Sequence, residues 1–267
     1  TFSVRKFQRA LGKKANGIVD RNLLVIIEDL KKNHAGSWLT YRRDFAGTGF
    51  TPLSIGCKLS IKKTLAIPEV TGIVCHADLL IISSKEGIYC FDANSGRLRW
   101  KNSQVRTEVP ITFSEYKVLV PTGELLIIDA FSGRVESKVD VGKFASPVAA
   151  GQGKIYASSG GALYALDLKG NVLWRFITDG ALCTAPTLAY DLVYFASYDR
   201  NIYCLDDKGI PYWKTKIPDI IDDALCIWES MAFAISEDSW FYCLSPLTGE
   251  ILWKKKFSDE QFVSPAF

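Results

Sequence analysis

The sequence predicts an all-β fold, a β-propeller of four-stranded blades, with a short α-helical module at its N-terminal end. Three observations carry this. The stretch Ala162–Trp174, ALYALDLKGNVLW, reads as strand, tight turn and return strand, and it recurs at Gly87–Trp100, Glu124–Ser137, Asn201–Trp213 and Trp240–Trp253. The anchor acids Asp92, Asp129, Asp167 and Asp206 stand 37, 38 and 39 residues apart, with Ser245 in the fifth place, and Gly96, Gly133, Gly170, Gly209 and Gly249 follow nearly the same beat. Pro110, Pro147, Pro186 and Pro265 fall on the same period. A repeat of about 40 residues made of strands alone is one propeller blade. Five full repeats are visible, plus the parts of a split closing blade.

Within each repeat the acid and the glycine mark a tight reversal. An Asp side chain accepts nearby backbone N–H groups, and Gly adopts φ > 0 without a steric penalty. The second strands are rich in β-formers: Leu79–Ile82, Lys117–Val120, Ile155–Ala157, Val193–Ala196 and Ala232–Ile235. A short inner strand follows each proline, as at Val148-Ala149 and Thr187-Leu188.

Residues 1–33 differ in kind. Phe2, Val4, Phe7, Ala10 and Leu11 line one face at helical spacing, and Gly12 ends that helix. Asn16-Gly17 makes a turn, Asp20 is an acceptable N-cap, and Leu23, Leu24, Ile26, Ile27 and Leu30 form a second apolar stripe. Residues 34–56 are a linker and a lead-in to the propeller. Lys58–Ile67 reads as the outer strand of a closing blade whose inner strands begin at Phe262–Phe267. The propeller therefore spans 57–267 and is expected to be C-terminally truncated. The start at Thr1 and the stop just after Ser264-Pro265 predict an internal fragment of a longer protein.

Composition narrows the function. With 48% hydrophobic residues, 23% charged residues and a net charge of +3, the chain is an ordinary packed globular protein. It shows no concentrated basic patch for nucleic acid. No apolar run approaches the ~20 residues that span a bilayer. Seven cysteines, two histidines and no CxxC give neither a disulfide framework nor a metal site. Cys90, Cys204 and Cys243 recur at one place in three repeats and read as small buried strand residues. Seven free thiols fit poorly with an oxidising periplasm. His76 reads as a surface or half-buried residue, and no nucleophile–base pair or phosphate loop stands out.

The Tyr-x-Leu-Asp-x-x-x-Gly-x-x-x-Trp type signature, with Ser146-Pro147 and Ser264-Pro265 opening blades, resembles the pyrroloquinoline-quinone-like (PQQ-like) propeller repeats, and best the BamB-like outer-membrane assembly proteins. Ser37–Pro52 is similar to the segment that leads into BamB-like propellers, with Trp38, Tyr41, Arg42, Asp44, Thr48, Gly49, Thr51 and Pro52 matching. The resemblance covers roughly residues 37–267. It implies that the turn glycines Gly96, Gly170, Gly209 and Gly249 and the outer-strand Trp100, Trp174, Trp213 and Trp253 lock adjacent blades. Ser137 stands in the tryptophan position of the second repeat, which implies a weaker seam there.

Residues 1–33 resemble the second half of a small helical peptidoglycan-binding domain, through Thr1, Ser3, Val4, Phe7, Gln8, Gly12, Gly17, Ile18 and Val19. Asn16 and Asp20 depart from that pattern. Both cell-wall binding and a helical accessory role stay open.

Quinoprotein dehydrogenases of the propeller class need a carboxylate-rich calcium site, a catalytic Asp and commonly adjacent cysteines. No adjacent cysteine pair exists here, so no cofactor and no catalytic residue is expected. In a propeller, the inter-blade loops and the loops between second and third strands open on one face. The last two complete repeats put Asp199, Asp219, Asp222, Asp223, Glu237, Asp238, Asp259 and Glu260 there. The opposite-face hairpins carry Arg97, Arg134, Lys169 and Lys208. A one-signed rim steers a basic partner. These features together predict a non-catalytic scaffold of the cell envelope, periplasmic or extracellular, that docks a protein partner, with peptidoglycan as a second partner class. The alternatives are a fragment of a PQQ-dependent quinoprotein oxidoreductase and an extracellular sensor domain.

Overall fold

The computed structural model describes residues 65–182 and 184–256. They form five separate four-stranded antiparallel sheets, each built from strands consecutive in sequence. Blade 1 is β1 (Val70–His76), β2 (Leu79–Ser84), β3 (Gly87–Asp92) and β4 (Leu98–Asn102). Blade 2 is β5 (Thr112–Ser114), β6 (Lys117–Pro121), β7 (Leu125–Asp129) and β8 (Val135–Val139). Blade 3 is β9 (Ala149–Gly151), β10 (Lys154–Ser159), β11 (Ala162–Asp167) and β12 (Val172–Ile177). Blade 4 is β13 (Thr187–Ala189), β14 (Leu192–Ser197), β15 (Asn201–Asp206) and β16 (Pro211–Lys216). Blade 5 is β17 (Cys226–Trp228), β18 (Met231–Ile235), β19 (Trp240–Leu244) and β20 (Ile251–Lys256). The first strands touch in series, β1 to β5 to β9 to β13 to β17, so the sheets fan out from a common inner side. That is the blade arrangement the period predicts.

Burial follows from the fan. A middle strand has a neighbouring blade on both faces, so β14 (LVYFAS) is buried throughout. Such strands read as continuous apolar runs rather than alternating ones. Outer strands are half-solvated, and β12 (VLWRFI) alternates, with Trp174 and Phe176 turned inward.

The anchor acids build the hairpin turns. Asp167 Oδ1 accepts the Lys169 and Asn171 N–H groups, each at 2.9 Å, and Asp206 Oδ1 does the same for Lys208 and Ile210. Asp92 and Asp129 instead accept from the N–H and hydroxyl of Ser95 and Ser132. Those turns are one residue longer: Gly96 N–H reaches back to the Asp92 carbonyl, whereas Gly170 N–H reaches the Asp167 carbonyl. The turn length shifts a glycine by one residue against its anchor; the rest of the uneven glycine spacing comes from the repeats themselves, whose anchors at 92, 129, 167, 206 and 245 stand 37, 38, 39 and 39 residues apart.

Every outer hairpin carries a register shift at one place. Just beyond it, Trp100 pairs with Cys90, Trp174 with Ala165, Trp213 with Cys204 and Trp253 with Cys243. Cross-strand partners share a sheet face, so a small residue stands opposite each indole. In blade 2 the sizes reverse: Ser137 faces Ile127. The recurring cysteines are thus the small member of a size-matched pair. Burial pushes the Cys90 thiol up to about 11 and the Cys204 thiol up to about 12, which keeps both protonated near neutral pH.

Several sequence expectations fall outside the described residues: the helices of 1–33, most of the 34–56 segment and its BamB-like lead-in, residues 58–64 of the proposed closing strand, and Phe262–Phe267. The end of that strand, 65–67, is described, and it is irregular rather than extended in a sheet. Leu65 and Ile67 instead lay their side chains on Ile82, Tyr89 and Phe91 of blade 1.

The seams yield a first prediction. Trp174→Ala removes a half-buried indole from the cluster that joins blades 3 and 4. Truncation of a packed aromatic of this size costs about 3–5 kcal/mol. The denaturant midpoint should fall accordingly, and an unchanged midpoint would rule out a structural role for Trp174.

Candidate functional site

Trp100, Trp174 and Trp213 each reach across a seam to the hairpin of the following blade. The Trp100 indole N–H donates to the Ala130 carbonyl at 2.9 Å, that of Trp174 to Asp207 at 3.0 Å, and that of Trp213 to Pro246 at 3.0 Å. The ring then lies over a glycine. A Cβ added to Gly133 would sit 2.5 Å from the Trp100 ring, one on Gly209 2.7 Å from Trp174, and one on Gly249 2.5 Å from Trp213. Those glycines have φ of +70°, +82° and +71°, a region that also favours glycine. Sequence spacing does not show that each glycine serves the tryptophan of the blade before it. Gly133, which sequence reading left out of its set of locking glycines, receives Trp100.

The seam after blade 2 is filled another way. The Ser137 hydroxyl donates to the Lys169 carbonyl at 2.8 Å, and a Val139 methyl occupies the space over Gly170. Trp253 is 45% exposed and lies against Phe241 and Phe233. Gly96 holds its turn with φ +63°.

The proposed acidic face is partly assembled. Asp219, Asp222 and Asp223 sit in the loop between β16 and β17, and Glu237 and Asp238 sit in the turn between β18 and β19. The Glu237 N–H donates to the Ile220 carbonyl at 2.9 Å and ties the two loops together. Asp222 and Glu237 are exposed. Asp223 Oδ1 accepts the Ala224 N–H, and Asp238 Oδ1 accepts the Ser236 hydroxyl. Asp259 and Glu260 lie outside the described residues.

Asp199 has a different job. Its carboxylate accepts the Tyr203 hydroxyl at 2.5 Å and both the backbone and side-chain N–H groups of Asn201. The Lys214 ammonium lies 5.0 Å from the Tyr203 ring. Burial alone would raise the Asp199 carboxyl, but the Tyr203 and Asn201 hydrogen bonds, with Lys214 nearby, hold it below the usual range. The network leaves this carboxylate committed to its own blade.

Elsewhere on the same face three cations come together. Lys85, Arg106 and Lys143, with Glu108, ring a cavity of about 450 Å³ floored by Val109, Pro121 and Phe144. These residues come from four loops, so no window of sequence gathers them. The loops of blades 1 and 2 on this face also carry exposed Glu69, Glu86, Glu108, Glu124 and Asp140, and Lys85 pairs with Glu69 and Glu108, so the charge there is mixed, whereas acids predominate over blades 4 and 5. On the opposite side, Arg97, Arg134, Lys169 and Lys208 are exposed at the hairpin tips. His76, half-buried, stacks on Phe113 at 4.9 Å.

Among the described residues no group of three or more His, Cys, Asp or Glu side chains is placed to hold a metal ion. No helix among them is long and apolar enough to cross a membrane.

Fan, hairpin acid and indole-on-glycine contact together define a propeller of PQQ-like repeats. The profile of the family described as outer membrane protein assembly factor BamB matches residues 84–219, and the chain belongs to that family. Among solved structures, BamB from Moraxella catarrhalis is similar at 21% identity and a TM-score of 0.61, covering 70% of this chain and 61% of its own. A europium-containing methanol dehydrogenase is similar at 13% identity and a TM-score of 0.74, covering 86% of this chain and 60% of its own. The quinohemoprotein alcohol dehydrogenase from Comamonas testosteroni is similar at 14% identity and a TM-score of 0.68, covering 87% and 51%. The chain thus spans less than two thirds of each of these proteins, and at these identities they share its fold. No curated protein sequence matches the chain.

The two kinds of acid on the face separate by mutation. Asp199→Ala strands the Tyr203 hydroxyl and the Asn201 amide and should cost about 1–3 kcal/mol. Asp222→Asn, on an exposed loop, should stay within about 0.5 kcal/mol. Equal melting temperatures for the two variants would contradict this division.

Proposed function

We propose that the chain is a non-catalytic scaffold of the cell envelope whose propeller docks a protein partner on the loop face that carries the acids of blades 4 and 5. Membership in the BamB family carries this reading. The face adds the chemistry: exposed Asp222 and Glu237 at one end, and Lys85, Arg106 and Lys143 around a cavity at the other. A basic partner would be steered to the acidic end, because a one-signed rim focuses its field. Residues 1–33 would supply a second attachment, to peptidoglycan, through the helical module they resemble.

A second reading rests on the dehydrogenase likenesses, whose TM-scores exceed that of BamB. It makes the chain part of a quinone-dependent alcohol oxidoreductase. Quinone and calcium added to the purified chain, with an alcohol and a dye acceptor, distinguish the two. Dye reduction would overturn the scaffold.

The docking face is tested by changing Asp222, Asp223, Glu237 and Asp238 together to amides. Folding should be nearly unaffected, since surface substitutions cost within about 0.5 kcal/mol and amide oxygens still accept the turn hydrogen bonds. Parent and variant are used side by side to capture partners from an envelope extract. Association with the captured partner should be faster at low salt for the parent, because the Debye length falls from ~10 Å at 0.1 M to ~3 Å at 1 M. The variant should lose most of that salt dependence. Identical capture at identical salt tolerance would reject the face.

A further inference from the structure

A cleft opens at the seam between blades 3 and 4, on the side away from the acidic loop face. It has a volume of about 260 Å³. Its walls are the β9–β10 turn at Gly151 and Gln152, the β13–β14 turn at Tyr190 and Asp191, and Asp207 of the following hairpin. Leu188, Leu192 and Val193 make the apolar part of the lining. Tyr156 reaches into it from β10. That residue is only 4% exposed, its ring tilted against Trp174 at 5.9 Å. Its hydroxyl has no hydrogen-bond partner among the described residues and is not one of the hydroxyls shut off from solvent, so it opens on the cleft.

The charge of the lining is one-sided. Asp191 and Asp207 are its charged members, and no cation lines it. The Gln152 amide donates to Asp191 Oδ1, and Lys154 Nζ lies outside the lining, bonded to the Asp207 carboxylate at 2.9 Å and its carbonyl at 2.7 Å. Burial first, then the charges of Asp207, Asp191 and Asp206, push the Tyr156 hydroxyl up to about 12, so it stays neutral with a lone pair to offer. Anionic ligands are disfavoured by the two carboxylates. A bare metal ion is also poorly served, since no three donors of the metal-binding kind come together among the described residues. What remains is a ligand with N–H donors at one end and a short aliphatic stem. At about 30 Å³ per water, the cleft has room for such a group.

We propose that this cleft binds a primary alkylammonium group, with the Tyr156 hydroxyl and the Asp191 and Asp207 carboxylates accepting its N–H donors and Leu188, Leu192 and Val193 packing its stem. The group is the head of a small amine or the end of an exposed lysine side chain; both present the same chemistry.

Calorimetric titration of the whole chain tests this with four probes: n-butylamine, n-butanol, Nα-acetyl-lysine N-methylamide and its norleucine counterpart. Butylamine, charged at pH 7.5, should bind at least ~tenfold more tightly than butanol, as expected when a hydrogen bond to a charged group is added. Tyr156→Phe keeps the ring packing against Trp174 and should weaken butylamine several-fold. Asp191→Asn should do likewise, and Asn tolerates the left-handed backbone of that position, φ +59°. If Tyr156→Phe does not fold, Asp191→Asn on its exposed turn carries the test alone. Binding of both amines and neither neutral analogue supports a lysine side chain as the ligand. Binding of butylamine alone supports a small amine. Equal binding of butylamine and butanol, no binding of either amine, or full affinity in every variant that folds would overturn the proposal.

Discussion

A tryptophan ring lying on a bare glycine recurs at three of the four described seams, and the other regular features of the repeat converge on it. The glycine must lack a side chain because the ring takes the space of a Cβ, and it must adopt positive φ because it closes the hairpin. The anchor Asp fixes that hairpin by accepting its N–H groups, as Asp206 does for Lys208 and Ile210. The indole N–H then binds a carbonyl of the same turn, as Trp174 does with Asp207. Opposite the ring, on the neighbouring strand, stands Cys or Ala. Acid, glycine, indole and small partner form one interlocking unit. The seam after blade 2 shows what happens when one part changes: Ser137 replaces the indole, Ile127 replaces the small partner and Val139 covers Gly170. Volume is conserved while the residues that supply it are exchanged.

With the seams closed, the loops at both ends of the strands carry whatever distinguishes one such propeller from another. The repeats constrain the strands and hairpin turns but leave the inter-blade loops free to vary. That freedom shows in the charge. Charge is mixed around Lys85, Arg106 and Lys143, which stand among Glu69, Glu86 and Glu108, and acidic around Asp222 and Glu237, although the framework beneath is the same from blade to blade. A propeller of this kind can separate the residues that hold it together from those its loops present. Asp199 marks the boundary, because it sits among the loop acids yet is tied to Tyr203 and Asn201 of its own blade.

Much of the fold was legible because the repeat writes it five times. Asp167, Gly170 and Trp174 give the hairpin and its return strand in one glance, and runs such as Val193–Ala196 give the second strands. Contacts between blades were not legible, since they join residues some 33 positions apart: Trp174 to Asp207, or Trp213 to Pro246. The recurring cysteines were read as small buried residues, but their reason, the indole opposite, needs the strand register. On the candidate face, sequence collected acids by loop and could not see that Lys85, Arg106 and Lys143 meet. The cleft at Tyr156 was hidden because a tyrosine inside an apolar strand looks like core until its hydroxyl is found without a partner.

The interdependence of ring and glycine is measured most directly by a double-mutant cycle on Trp174 and Gly209, read as unfolding free energies. Gly209→Ala alone suffers twice, from a Cβ pressed on the indole and from an alanine held at φ +82°, a region costing L-residues about 1–2 kcal/mol. In the Trp174→Ala background the first penalty is gone and the second stays. The double variant should therefore be more stable than the sum of the single losses implies, by about 1 kcal/mol or more, well beyond the ~0.3–0.5 kcal/mol scatter of independent sites. Additivity within that scatter would mean that ring and glycine are neighbours without being a lock.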